Sequence, residues 1–277
     1  MHTMSLIKHN QYLIYWIVFV AALSGLLFGF NTGIISGAIL FINKEFQLNN
    51  FGTSLLISST LFGACISAAV SGRVVDCCGR RHLIMFNAVL FFCGALGSAL
   101  ASSIQLLIIS RTIVGFAIGI SSYVAPLYIS ELAPFRKRGI MVGLSQLFIV
   151  IGILISYAVS YVFSFGEHWR LMFGIGVIPA VMLFIGLLFA PESPRWLVAV
   201  DQENLARDIL YMIREPYDNV EMELLEIKEN ITEQSKDWRM LFRPWLLPAV
   251  IVGFGMAAFQ QLVGIDIFVY YHCIILC

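Results

Sequence analysis

The stretch LIYWIVFVAALSGLLFGFNTGIISGAILF, residues 13–41, holds no charged side chain and sets a glycine at every fourth position from Gly25 through Gly29 and Gly33 to Gly37. About 20 apolar residues of helix cross a bilayer. The stretch exceeds that and is too long for the core of a signal peptide, so it reads as a membrane-spanning helix. Lipid gives two apolar helices no hydrophobic reason to associate, and small residues let their backbones approach closely instead. Four glycines spaced by four make one stripe, so this helix is expected to press against a neighbour. The single amide, Asn31, is two residues from both Gly29 and Gly33, about 200° around the helix, and points away from the stripe. A buried amide needs a partner or water. Position alone leaves two options, a bond to a neighbouring helix or a polar cavity.

The rest of the chain repeats the pattern. Of 277 residues, 59% are hydrophobic and only 12% charged, about half the charge of an ordinary globular chain. Further apolar runs lie at 53–75, 83–101, 104–127, 140–162, 171–190 and 245–275, making seven expected spans. The fourth carries its own spaced pair, Gly115 and Gly119. The net charge of zero gives no hint of a nucleic-acid partner. Of the six cysteines, Cys77 and Cys78 are adjacent, but no second pair completes a metal or redox motif, and all six read as incidental reduced thiols. No cofactor is expected.

Lysines and arginines between the spans set the orientation. With the N-terminus inside, fourteen of the 17 fall on inner segments, Lys44 and Arg170 fall outside, and Arg111 lies within the fourth span. The expectation is therefore a multi-pass protein of the plasma (cell inner) membrane with a cytoplasmic N-terminus. The segment 191–244 is the one sizeable hydrophilic piece. Within it, Leu205, Ile209, Leu210 and Ile213, then Leu224, Leu225, Ile227 and Ile231, recur at helical spacing, which predicts two amphipathic helices that pack rather than catalyse.

Away from the span ends (Arg73 closes the second run), the only fully ionisable residues within the spans are Arg111 and Asp266, each costing about 2.5–3.5 kcal/mol at mid-membrane on insertion scales. Such residues face a cavity or pair with each other. By residue count, Asn31, Arg111 and Asp266 all lie in the outer half. Gln146, Gln260 and Gln261 add amides. A wall of amides and hydroxyls suits a neutral, hydroxyl-rich solute. No nucleophile–base pair or phosphate-binding loop supports an enzyme, and the seventh span has no lysine to hold retinal.

Four motifs then carry a resemblance. GRVVDCCGRR (72–81), ELAPFRKRG (131–139), PESPRWL (191–197) and QQLVGIDIFVYY (260–271) resemble, in order and spacing, the loop and span signatures of the sugar porter family of the major facilitator superfamily. The resemblance implies an all-α membrane protein of two six-helix bundles with alternating access between them. This chain would supply the N-terminal bundle (1–190), cytoplasmic amphipathic helices (191–244) and the seventh span (245–277) of a truncated second bundle. It implies that Gln146, Gln260, Gln261 and Asp266 line a hexose or pentose site. It makes Asn31 and Arg111 a neighbouring pair linked to coupling. It assigns Arg73, Asp76, Arg80, Arg81, Glu131, Arg138, Glu192 and Arg195 to an inner gate of salt bridges.

The chain departs from the family at three places. Asn31 stands where proton-coupled members carry aspartate, which argues for facilitated diffusion. Asp266 replaces an asparagine; it either pairs with Arg111 or restores a titratable group, and the second option keeps proton symport open. Cys77 replaces an arginine and thins the gate. The family has twelve spans, so the chain is expected to be a truncated transporter, inactive alone, that a separate C-terminal half would complement. Polyol or organic-acid transport is the alternative.

Overall fold

The computed structural model describes residues 11–214, 219–233 and 246–264, and every regular element among them is helical. Among the described residues, six apolar helical segments are long enough to cross a membrane. They are α1 (Gln11–Phe46), α2 (Asn50–Cys78), α3 (Arg80–Ala99), α4 (Ile104–Leu132), α5 (Arg138–Ser164), and the pair α6 (Trp169–Gly174) and α7 (Val177–Leu188) acting as one span. The apolar run 171–190 was expected to be continuous, but it breaks at Gly176. Pro179 thereby falls in the first turn of α7, where a missing N–H costs nothing because that turn has no acceptor for it. Three short helices follow, α8 (Pro194–Ala199), α9 (Glu203–Ile213) and α10 (Val220–Glu233), and then α11 (Leu247–Leu262). The described part of the expected seventh span is this 16-residue helix, about 24 Å of rise against about 30 Å of hydrocarbon. The remainder of that span lies outside the described residues.

The glycine stripe does what lipid packing asks of it. All four glycines face α5: a Cβ on Gly25 would meet the Ser145 carbonyl at 2.7 Å, and one on Gly29 would overlap the Ile149 carbonyl. Gly33 lies against Ser156 and Gly37 against Ser160. The buried residues of α5 are mostly small, including Ser145, Gly152, Ser156 and Ser160. Gly152 returns the contact, its missing Cβ leaving room for the Leu26 carbonyl. Gly115 and Gly119 serve a second pair, α4 against α2, where Gly115 sits on the Thr60 backbone and Gly119 on Ala64 and Ser67. In both pairs residue numbers rise together along the contact, so the helices run parallel.

The helices α9 and α10 extend the bundle's core. Ile209, Leu210, Ile213, Leu224 and Ile227 are buried in one cluster with Tyr128, Leu132 and Met141 from α4 and α5. Leu205 and Leu225, expected on these buried faces, are instead half exposed or more (50% and 59%). On α9, Ala206 takes the buried position beside Ile209. The described side chains of α11 are exposed or half-buried.

Candidate functional site

Helices α1, α4 and α5 meet around a cavity of about 150 Å³ bordered by Gly25 and Phe28, Ser121, Ser122 and Pro126, and Ser145 and Gln146. By residue count it lies near the middle of α1, in the later half of α4 and in the earlier half of α5. Gln146 is exposed on α5 beside it. Pro126 sits inside α4 and has no N–H, so the carbonyl four residues back, that of Ser122, lacks its usual helical donor. The Ser122 hydroxyl donates to the Gly119 carbonyl at 2.8 Å. Ser121 differs: its oxygen accepts from the Asn87 amide of α3 at 2.7 Å. Asn87 is fully buried. An amide, two hydroxyls and a released carbonyl thus border one small hollow. Ser121, Ser122, Pro126 and Asn87 were missed as site candidates; the proline inside an otherwise unbroken helical run was the signal that could have found the cavity.

Asn31 and Arg111 are brought together one step towards the other end of the bundle. Both are buried, 2% and 1% exposed. Arg111 donates to the backbone carbonyl of Asn31 at 2.9 Å, and its guanidinium lies 5.1 Å over the Phe173 ring. The Asn31 side chain turns back on its own helix and donates to the Leu27 carbonyl at 2.9 Å. The bond between helices is therefore made by the arginine and the Asn31 backbone. Gln260 is exposed on α11. The Gln261 side chain and Asp266 lie outside the described residues, so neither the convergence of these amides nor an Arg111–Asp266 pair is described.

The basic end of the bundle carries the loop charges. Arg80 grips Glu131 with two nitrogens, Nε to Oε2 at 2.9 Å and Nη2 to Oε1 at 3.0 Å. Both side chains are largely shielded, 12% and 5% exposed. Ser193 donates its hydroxyl to the same carboxylate. Glu192 does a different task. Its Oε1 accepts backbone N–H bonds from Arg80 (3.0 Å), Arg81 (2.9 Å) and Ser193 (2.9 Å), and Oε2 faces His82 at 3.1 Å. It caps α3, where unsatisfied N–H groups and the helix dipole favour an anion. Only glycine fits the preceding position, because Gly79 has φ of 87° and a Cβ there would meet Glu192 at 2.7 Å. The guanidinium of Arg81 donates to the Leu187 and Leu188 carbonyls, both at 2.9 Å.

Asp76 is exposed, 3.6 Å from Arg80, and its carbonyl accepts from Trp196 at 3.0 Å. Arg73 is exposed with no ion-pair partner among the described residues. Arg138 and Arg195 border a separate basic cavity with Arg214. Arg214, noted from sequence only as a topology charge, is buried. It holds Glu223 through two bonds of 2.7 Å and the Leu132 carbonyl at 2.6 Å, tying α10 to the end of α4.

At the opposite end, both cations expected there are paired. Arg170 holds Glu45 through bonds of 2.6 and 3.0 Å and also bonds the Ala101 carbonyl, while Lys44 meets Glu167 at 2.5 Å. This clamp joins the ends of α1 and α3 to the start of α6.

The chain matches the family model described as sugar (and other) transporter over residues 17–276. It is 43% identical over 266 residues to the glucose transporter GlcP of Staphylococcus epidermidis, covering 95% of this chain and 58% of the relative. It is also 39% identical over 269 residues to the galactose-proton symporter of Escherichia coli, covering 95% and 57%. Among solved structures, the proton:xylose symporter XylE bound to 6-bromo-6-deoxy-D-glucose superposes with a TM-score of 0.84 at 31% identity, over 95% of this chain and 62% of that one. The partially occluded inward open form of XylE from E. coli gives 0.81 at 30% identity, over 94% and 66%. The chain spans a little over half the length of the curated relatives it matches. With every regular element among the described residues helical and six apolar spanning helices among them, the chain belongs to the sugar porter family of the major facilitator superfamily, a family of membrane transporters rather than enzymes.

Proposed function

We propose that this chain forms the N-terminal half of a carrier for a neutral monosaccharide, a hexose or pentose, working by alternating access in the cell membrane. Residues 1–190 are its first bundle, 191–244 its cytoplasmic layer and 245–277 the start of a second bundle. The N-terminus and the basic end face the cytoplasm. The observation that supports this reading best is the mid-span hollow bordered by Gln146, Ser121 and Ser122. A sugar hydroxyl both donates and accepts, and neutral amides and hydroxyls recognise it with no charge to desolvate. Gln260, Gln261 and Asp266 belong to the same site on the far side. Arg73, Asp76, Arg80, Arg81, Glu131, Arg138, Glu192 and Arg195 belong to the cytoplasmic gate, where ion pairs bias a two-state rocking motion. Arg111 holds the Asn31 backbone and so fixes α1 to α4.

Asn31 cannot titrate, which supports facilitated diffusion. Proton symport is the second reading, favoured by the carboxyl of Asp266 and by relatives such as the galactose-proton symporter. The test is to co-produce the chain with the C-terminal half of GlcP in cells lacking hexose and pentose uptake, and to follow labelled glucose and xylose together with external pH. Uptake without alkalinisation is expected. Sugar-driven alkalinisation that disappears in Asp266→Asn would replace uniport with symport. Uptake of an organic acid but of no sugar would remove the substrate class.

In the same assay Gln146→Ala is expected to raise KM about three- to tenfold with little change in maximal rate, the loss of one or two neutral hydrogen bonds. An unchanged KM would take Gln146 out of the site.

A further inference from the structure

The basic end holds a second and larger cavity, about 880 Å³, between the link that follows α4, α8 and α10. Five cations border it: Arg136, Lys137, Arg138, Arg195 and Arg214. Three carboxylates share its wall, Glu131, Glu223 and Glu226. Glu131 is held by Arg80 and Glu223 by Arg214. Lys137 leans over the Tyr15 ring. Arg136, Arg138 and Arg195 are left with no ion-pair partner among the described residues. The Nε of Arg138 is buried without a hydrogen-bond partner, and its guanidinium lies close enough to Arg195 and Arg214 for mutual repulsion.

Guanidinium forks match the oxygens of a phosphate, each able to give two parallel bonds, and a phosphate has oxygens enough for several forks at once. The geometry points to a phosphate-binding site at the basic end, with Arg138 and Arg195 as its principal ligands and Arg136 at its rim, taking the phosphate of a soluble phosphorylated compound or of a lipid headgroup. The volume leaves room for the remainder of such a ligand. Occupied, the site neutralises two arginines assigned above to the gate. That consequence rests on the transport reading, whereas the binding itself does not.

The test uses the purified chain in phosphatidylcholine nanodiscs and reads binding alone, so its failure leaves the transport reading standing. Inorganic pyrophosphate is titrated by calorimetry, and the shift of the thermal unfolding midpoint is followed in parallel. Saturable one-to-one binding is expected, weakened at least about tenfold, the equivalent of about 1.4 kcal/mol, in Arg138→Gln/Arg195→Gln. Arg195→Gln alone, on an exposed position that leaves the core intact, is expected to weaken it by a smaller factor, and Arg195→Lys to restore part of it. A second set of nanodiscs adds phosphatidylglycerol. Stabilisation by that lipid which the double substitution removes, with no pyrophosphate binding in phosphatidylcholine, assigns the phosphate to a headgroup. Pyrophosphate binding in phosphatidylcholine assigns it to a soluble ligand. No saturable effect from either source, or an effect equal in the double variant, overturns the site.

Discussion

Gly29→Leu is expected to prevent α1 and α5 from packing and to lower the thermal unfolding midpoint of the purified protein more than any other glycine substitution in the stripe. The reason is what the new side chain meets. A Cβ at position 29 overlaps the backbone carbonyl of Ile149, and no rotamer change moves a backbone. At Gly33 the obstacle is the Ser156 hydroxyl, which can swing away, so Gly33→Ala is expected to cost less. Even Gly29→Ala should destabilise, by on the order of 1–3 kcal/mol of overpacking, although alanine is the better helix former by about 1 kcal/mol. Gly143 supplies the control. It is exposed on the same α5, with nothing within 4 Å of a Cβ, so Gly143→Ala is expected to be neutral or to stabilise by about 0.5–1 kcal/mol. Unfolding midpoints for these four variants in one detergent decide the matter. If Gly29→Leu melts like Gly143→Ala, the close helix approach is not what holds the bundle.

The same contact shows how far residue patterns carried the fold. Spacing by four marked Gly25 to Gly37 as a packing face but could not name the partner, because a stripe on one helix carries no address. The address was written on α5, in the small residues Ser145, Gly152, Ser156 and Ser160, which read individually as unremarkable polar or small positions within an apolar run. Charges were more legible than packing. Sequence order alone grouped Arg80, Glu131 and Glu192 at one end of the spans, and the structure brings all three within one network. Their division of labour was not legible. Whether a glutamate answers a guanidinium, as Glu131 does, or a row of backbone N–H groups, as Glu192 does, depends on where the segment leading into α8 meets the start of α3. The buried polar groups were the least legible: Asn87 is a single amide in the apolar run 83–101, and nothing in the order of residues shows that the fold sets Ser121 beside it.

Removing the carboxylate of Glu131 is expected to destabilise the basic end by up to about 3–5 kcal/mol, because it leaves the shielded Arg80 guanidinium only the exposed Asp76, 3.6 Å away, as counter-charge. The carboxylate serves two neighbours at once, Arg80 on α3 and the Ser193 hydroxyl at the start of α8. Glu131→Gln keeps the shape and loses the charge, so it separates electrostatics from packing. Arg80→Met/Glu131→Met tests the same point from the other side. Both buried charges go together, so no buried charge is orphaned and the Ser193 hydroxyl alone loses its acceptor; apolar side chains of similar size fill the space, and the double variant is expected to be more stable than Glu131→Gln despite carrying more changes. Hydrogen exchange adds a spatial readout. In Glu131→Gln the amides of α8 and α9 should exchange faster while those of the clamp around Glu45 and Arg170 at the opposite end of the bundle stay protected, since the two networks share no residue. Equal protection everywhere, with an unchanged midpoint, would mean that α8 to α10 are held by the apolar faces of Leu197, Ile209 and Leu224 alone. The ion network would then be free to open and close at small cost, which is the property a gate requires.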